Sequence, residues 1–153
     1  MKKLFPICSA IAMCVCAGIC QLRAQKSDDD PSATITFNTG RFITVSSNGR
    51  VFELVGLQPN ESVDVQVYFS IQKAGRTLRI EALDGGFVSS AGNAVSVAGD
   101  GTISFRFQAG FSPGRYQVSV QDGAHEVGLQ FWVLDSTNPQ NNPRVLTVAN
   151  PNI

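Results

Sequence analysis

The chain has 153 residues, with 12 Lys or Arg against 12 Asp or Glu, a single histidine and four cysteines. That length suits one core of about 100 to 150 residues rather than two. The even charge balance excludes the basic surface that nucleic-acid binding demands, and a 43% apolar composition excludes a wholly disordered chain.

Residues 1–24 have the order of features found in a cleavable export signal. Lys2 and Lys3 precede an apolar run from Leu4 to Ile19, and Leu22-Arg23-Ala24 precedes Gln25, so cleavage is expected after Ala24. The run is shorter than the roughly 20 residues a spanning helix needs, and Pro6, Ser9 and Gly18 weaken it further. No transmembrane anchor is expected in the mature chain, whose place is the periplasm, the cell surface or the medium. Lipidation at Cys20 is the minor alternative, because Ile19 stands where a lipid signal wants a small residue. Cys8, Cys14, Cys16 and Cys20 all fall in this segment. A cysteine-free mature chain is therefore expected, without disulfides, thiolate metal sites or cysteine nucleophiles. Loss of Lys2, Lys3 and Arg23 leaves 9 basic against 12 acidic residues, net −3.

Residues 25–32 form an acidic flexible leader in which Asp28, Asp29 and Asp30 precede Pro31. A run of like charges without apolar neighbours stays solvated, and its spacing lacks the shaped loop that calcium requires. Residues 33–135 then follow a period of two, the mark of half-buried strands. Ile35 and Phe37 alternate with polar residues in a first strand; Phe42, Ile43 and Val45 make the next, and Asn48-Gly49 predicts a tight turn before the mixed run Val51 to Leu57. Val63, Val65, Val67 and Phe69 give the clearest strand of this half. Leu78, Ile80 and Ala82 repeat the pattern against Arg79 and Glu81, whose opposite charges share the solvent face. Further on, Ile103, Phe105 and Phe107 alternate with Ser104, Arg106 and Gln108, and Tyr116, Val118 and Val120 with Gln117, Ser119 and Gln121. Asp122-Gly123 predicts a hairpin into Val127, Leu129, Phe131 and Val133. No segment shows a capped 3.6-residue period. Residues 136–153 read as a flexible tail rich in Pro and Asn, in which Pro143 and Pro151 disfavour an edge strand at Val145 to Val148.

Short strands with turns every ten or so residues predict an all-β, two-sheet antiparallel sandwich of about seven to nine strands with little or no helix. Gly101-Thr102-Ile103-Ser104-Phe105 and Pro113-Gly114-Arg115-Tyr116-Gln117-Val118-Ser119-Val120 carry a resemblance to bacterial immunoglobulin-like or fibronectin-type III domains. They resemble the end of the fifth strand, the corner and the sixth strand of such sandwiches, with Tyr116 near the corner. The chain departs from antibody-type domains in lacking an inter-sheet cysteine pair and in carrying its one tryptophan, Trp132, on the last strand. The resemblance implies an architecture; such sandwiches serve adhesion, spacing and ligand binding alike.

Chemistry-bearing residues are scattered. His125 beside Glu126 lacks the convergent serine and acid of a triad, and Ser104 and Ser119 lie on strands, as outward-facing residues, away from any nucleophile elbow. No catalytic residue, metal ligand or cofactor is expected. Two aromatics stand out of phase with their buried neighbours, Trp132 between Phe131 and Val133 and Tyr68 between Val67 and Phe69. Outward rings supply contact area at small entropic cost, so Trp132 and Tyr68 are the candidate contact residues. A bulge at Gly128 or a covering tail offers a structural explanation for Trp132, and the two aromatics are expected on different sheets. The functional expectation is an exported, non-enzymatic module contacting a protein or cell-surface component. The alternative is a small carbohydrate-binding module that uses Trp132 on a polysaccharide.

Overall fold

The structure is a computed structural model that describes residues 31–48 and 51–147. The segment expected to be an export signal, with the cleavage expected after Ala24 and the lipidation alternative at Cys20, lies outside the described residues, as do the aspartates of the expected leader, Gly49 of the expected Asn48-Gly49 turn and the last six residues of the expected tail. One expectation requires correction. The chain carries four cysteines, Cys8, Cys14, Cys16 and Cys20, so "cysteine-free" is a property of the described residues and not of this protein. Among the described residues, no helix is long and apolar enough to cross a membrane.

Ten strands are described: β1 (Ser32–Phe37), β2 (Phe42–Ser46), β3 (Val55–Leu57), β4 (Ser62–Tyr68), β5 (Thr77–Ala82), β6 (Phe87–Ser89), β7 (Ala94–Ser96), β8 (Thr102–Gln108), β9 (Gly114–Asp122) and β10 (His125–Val133). They form two five-stranded sheets, ordered β2-β1-β4-β8-β6 and β3-β10-β9-β5-β7. Pairing is antiparallel except for β3 beside β10, which is parallel. Among the described residues, the helical content is two three-residue 3-10 turns, Ile71–Lys73 and Pro139–Asn141. The fold is the all-β sandwich that the period predicts. β6 and β7 take the count past the expected range, because three-residue strands in a Gly- and Ser-rich stretch are too short to display a period.

Alternation decides the core. In β4, Val63, Val65 and Val67 are buried while Asp64, Gln66 and Tyr68 are exposed. The β8 partners Phe107, Phe105 and Ile103 sit opposite those three valines and are buried with them. From the second sheet, Tyr116, Val118 and Val120 of β9 and Val127, Leu129, Phe131 and Val133 of β10 face back. Phe107 and Phe131 stack across the gap with centroids 4.6 Å apart and planes 16° from parallel. That aromatic pair joins the two sheets.

The run Val51 to Leu57 changes sheets. Phe52 bridges to Ser47 at the end of β2, whereas Val51 bridges to Gly128 and β3 runs beside β10. At the other side, Tyr116 is the third residue of β9 and its hydroxyl donates to the Ser112 carbonyl at 2.9 Å, four residues upstream. The bond ties the start of β9 to the turn that precedes it. The β9–β10 hairpin closes through Gly123 and Ala124; Gly123 alone takes a positive φ, 61°, as a two-residue turn with glycine at its first position requires.

Candidate contact surfaces

Trp132 occupies the phase opposite to buried Phe131 and Val133. The β9–β10 register runs from His125 opposite Asp122 to Val133 opposite Gly114 without an extra residue, so no bulge turns the indole round at Gly128. Instead, the chain after β10 folds over it. The indole N–H donates to Asn142 Oδ1 at 3.1 Å, the same oxygen accepts the Asp135 N–H at 2.8 Å, and Asn142 Nδ2 donates to the Asp135 carbonyl at 3.1 Å. Trp132 is left half-buried.

Asp135 builds the turn that delivers Asn142. Its carboxylate accepts the Thr137 hydroxyl at 2.6 Å, the N–H groups of Thr137 and Asn138 at 3.0 and 2.9 Å, and Asn141 Nδ2 at 3.1 Å. Those bonds favour the ionised form, the Thr137 hydroxyl most and the Asn138 N–H next, and they lower the Asp135 pKa to about 2. The segment then reaches β3. Gly56 N–H donates to the Thr147 carbonyl at 3.0 Å and Thr147 N–H donates to the Leu54 carbonyl at 2.9 Å. Thr147 thus bridges in parallel to Val55 and covers the β3 edge at that point.

Tyr68 is 40% exposed and lies on the other sheet, in register with Ser32 of β1 and Thr102 of β8. Tyr68 and Trp132 therefore do not form one aromatic platform. The face around Tyr68 is rich in hydroxyls and amides, and a shallow groove of about 410 Å³ lined by Thr34, Thr36, Asp64, Gln66 and Ser104 crosses it. Asp64 is paired with Arg106 at 3.0 and 3.4 Å, so this face carries no unbalanced charge there.

The candidate nucleophile and base do not meet. Ser119, expected to face solvent, is only 1% exposed. It is on the outer side of β9, opposite Gly128, and Gln117 lies so close that a Cβ at Gly128 would meet its Nε2 at 2.9 Å. Glu126 and Gln121 close over the rest: the Ser119 hydroxyl donates to Glu126 Oε1 at 2.6 Å and accepts from Gln121 Nε2 at 3.3 Å. His125 is exposed and stands in the opposite phase of β10 from Glu126. Across the hairpin from it, Asp122 accepts Lys73 Nζ at 2.6 Å and Arg76 Nη1 at 3.1 Å. The lysine hydrogen bond holds the Asp122 carboxyl below its usual range against the cost of burial. Arg79 and Glu81 pair at 2.9 Å on the solvent face, as their spacing predicts. Among the described residues, no group of three His, Cys, Asp or Glu side chains converges to hold a metal ion.

The sheet edges differ sharply. β6 and β7 are three residues long, and β3 is covered at Thr147. β2, Phe-Ile-Thr-Val-Ser, has five residues with no charge and no proline, and its Phe42 is 68% exposed. The hydrogen bonds Phe37 N–H to Arg41 and Ser47 N–H to Pro31 bracket its pairing with β1. Antiparallel alternation then makes Ile35–Ile43 and Ala33–Val45 the mutually bonded pairs. It turns the N–H and C=O groups of Phe42 and Thr44 toward the open side. The Ser46 carbonyl is already engaged by Glu53 N–H at 3.4 Å.

Periodicity located Trp132 and Tyr68 but passed over Asn142, Thr147 and the β2 edge. Asp135-Ser136-Thr137-Asn138 is a side-chain turn signature that foretells the Asp135 network; the edges had no local signal, since pairing order is set by distant strands. No protein-family model matches the chain, and no curated protein is detectably similar to it in sequence.

Proposed function

We propose that this protein is an exported, non-enzymatic sandwich of the immunoglobulin-like or fibronectin type that makes protein contacts at the cell envelope or outside the cell. Export follows from the charged start, apolar run and Ala24 site of the signal segment. The contact is strand addition at β2, in which backbone bonds supply affinity and alternate side chains supply specificity. One observation carries this reading: at Phe42 and Thr44, β2 presents an edge without charge, proline or, among the described residues, a covering segment, the Phe52–Glu53 return reaching only Ser46 and Ser47.

The chemical groups favour a structural role. The Ser119 hydroxyl is bonded to Glu126, and Asp122 is tied to two cations. The carbohydrate alternative at Trp132 draws less support, because Asn142 takes the indole N–H that a sugar hydroxyl would use.

The test is capture of native envelope and extracellular material on immobilised wild type, Thr44→Pro and Trp132→Ala proteins. Proline at 44 removes an N–H that faces the open side and leaves the bonds to β1 intact. One protein species lost with Thr44→Pro and kept with Trp132→Ala supports strand addition. Capture indifferent to Thr44→Pro, or of a glycan lost with Trp132→Ala, overturns it. An exported product that starts elsewhere than Gln25 would overturn the Ala24 site.

A further inference from the structure

We propose that the strand added at β2 is β2 of a second copy of this chain, joined antiparallel about a two-fold axis near Ile43. This rests on strand addition at β2 and names its occupant. About such an axis, the open backbone groups of Phe42 face those of Thr44 of the partner subunit, and those of Thr44 face Phe42 of the partner subunit. Each is a mutually bonded pair, so four hydrogen bonds form at groups that the fold leaves on the open side. The next bonded position would set Ser46 opposite Gly40 of the partner subunit, but Glu53 already holds the Ser46 carbonyl, so the joint ends at Val45 on each side.

The side chains fit the same symmetry. Phe42 and Thr44 lie on the outer face of the sheet, so each copy's Phe42 lies over Thr44 of the partner subunit and diagonal to its phenylalanine. Two rings, each 68% exposed in the single copy, are thereby covered together. Charge agrees: the strand has none, so its own copy is a partner against which no like charges are opposed. Arg41 meets Val45 of the partner subunit, and the two arginines fall at opposite ends of the joint. The product is one continuous ten-stranded sheet made from β2-β1-β4-β8-β6 and its mate.

Size sets the strength. A single five-residue edge and one aromatic pair make a small joint, so the expected dimer is weak and reversible.

The experiment is sedimentation of the purified protein over a concentration series from micromolar to millimolar, for wild type, Thr44→Pro, Phe42→Lys and Ile71→Lys. Circular dichroism on each sample checks the fold. Ile71 is a comparably exposed apolar residue outside the strands, and its substitution controls for general stickiness. The expected result is a reversible dimer whose dissociation constant rises at least about tenfold in Thr44→Pro and in Phe42→Lys but not in Ile71→Lys. If the folded Thr44→Pro protein does not keep β1–β2 intact, Phe42→Lys alone decides. A wild type monomeric at millimolar concentration, or a dimer indifferent to both β2 changes, overturns self-pairing. Strand addition itself survives a monomeric wild type if envelope capture is still lost with Thr44→Pro, so the two failures are distinguishable.

Discussion

The two sheets end in opposite ways on the side where β2 and β3 lie. The outer edge of the second sheet, at β3, finds partners within its own chain, because Thr147 exchanges bonds with Gly56 and Leu54 while Asn142 holds Trp132. The outer edge of the first sheet, at β2, is met at Ser46 and Ser47 by Glu53 and Phe52, but among the described residues no segment lies over Phe42 and Thr44, which it turns outward. Edge protection is a property of the local covering, not of the sandwich. An aromatic out of phase therefore carries a different meaning at each place: Trp132 anchors the covering segment, whereas Phe42 marks the part of β2 that no described segment covers.

The largest expected effect removes the frame that both edges share. Phe131→Ala takes away the ring stacked on Phe107 and should destabilise the fold by about 3 to 5 kcal/mol, read as a shift in denaturant midpoint at constant slope. A loss below about 1 kcal/mol would mean that the sheets are joined elsewhere.

The closed edge comes next. Asn142→Ala removes the acceptor of the Trp132 and Asp135 N–H groups, with an expected cost of about 1 to 2 kcal/mol. Acrylamide quenching of Trp132 should rise with it. Unchanged quenching would show that the tail covers the indole without Asn142.

A pair of proline substitutions sharpens the contrast directly. Thr147→Pro deletes the bond to Leu54 and should cost about 1 kcal/mol, while Thr44→Pro deletes no bond and should fall within about 0.5 kcal/mol. Equal costs would erase the distinction between the edges.

Acid gives the smallest and most local effect. The Asp135 pKa is depressed in the folded state, so its contribution is complete above the ordinary carboxylate value near 4. It should fade as pH drops toward the folded value of about 2. Tryptophan emission should therefore hold at pH 5 and move toward that of an exposed indole between about pH 4 and 2. The Asp135→Asn protein should show the change already at neutral pH.

Much of the fold was legible because alternation is local: Val63 to Phe69 and Ile103 to Phe107 announce their buried faces in the sequence itself. Phe87–Ser89 and Ala94–Ser96 were not legible, since three residues hold no period. Of the candidate site, the phase of Trp132 was readable and its partner was not. Asn142 is a remote turn residue whose position depends on the Asp135 network. Ser119 shows the same limit. An outward phase means exposure only where neighbouring side chains leave room, and Gly128 lets Gln117, Gln121 and Glu126 close over it. The openness of β2 is less local still, because it depends on which strand fails to arrive.

Amide hydrogen exchange on dilute protein tests the contrast between the edges most directly. The account predicts unprotected amides at Phe42 and Thr44 beside protected amides at Gly56 and Thr147, with Phe42 and Thr44 gaining protection as concentration rises. Protection of Phe42 and Thr44 in the dilute monomer, or exchange at Gly56 and Thr147 as fast as theirs, would contradict it.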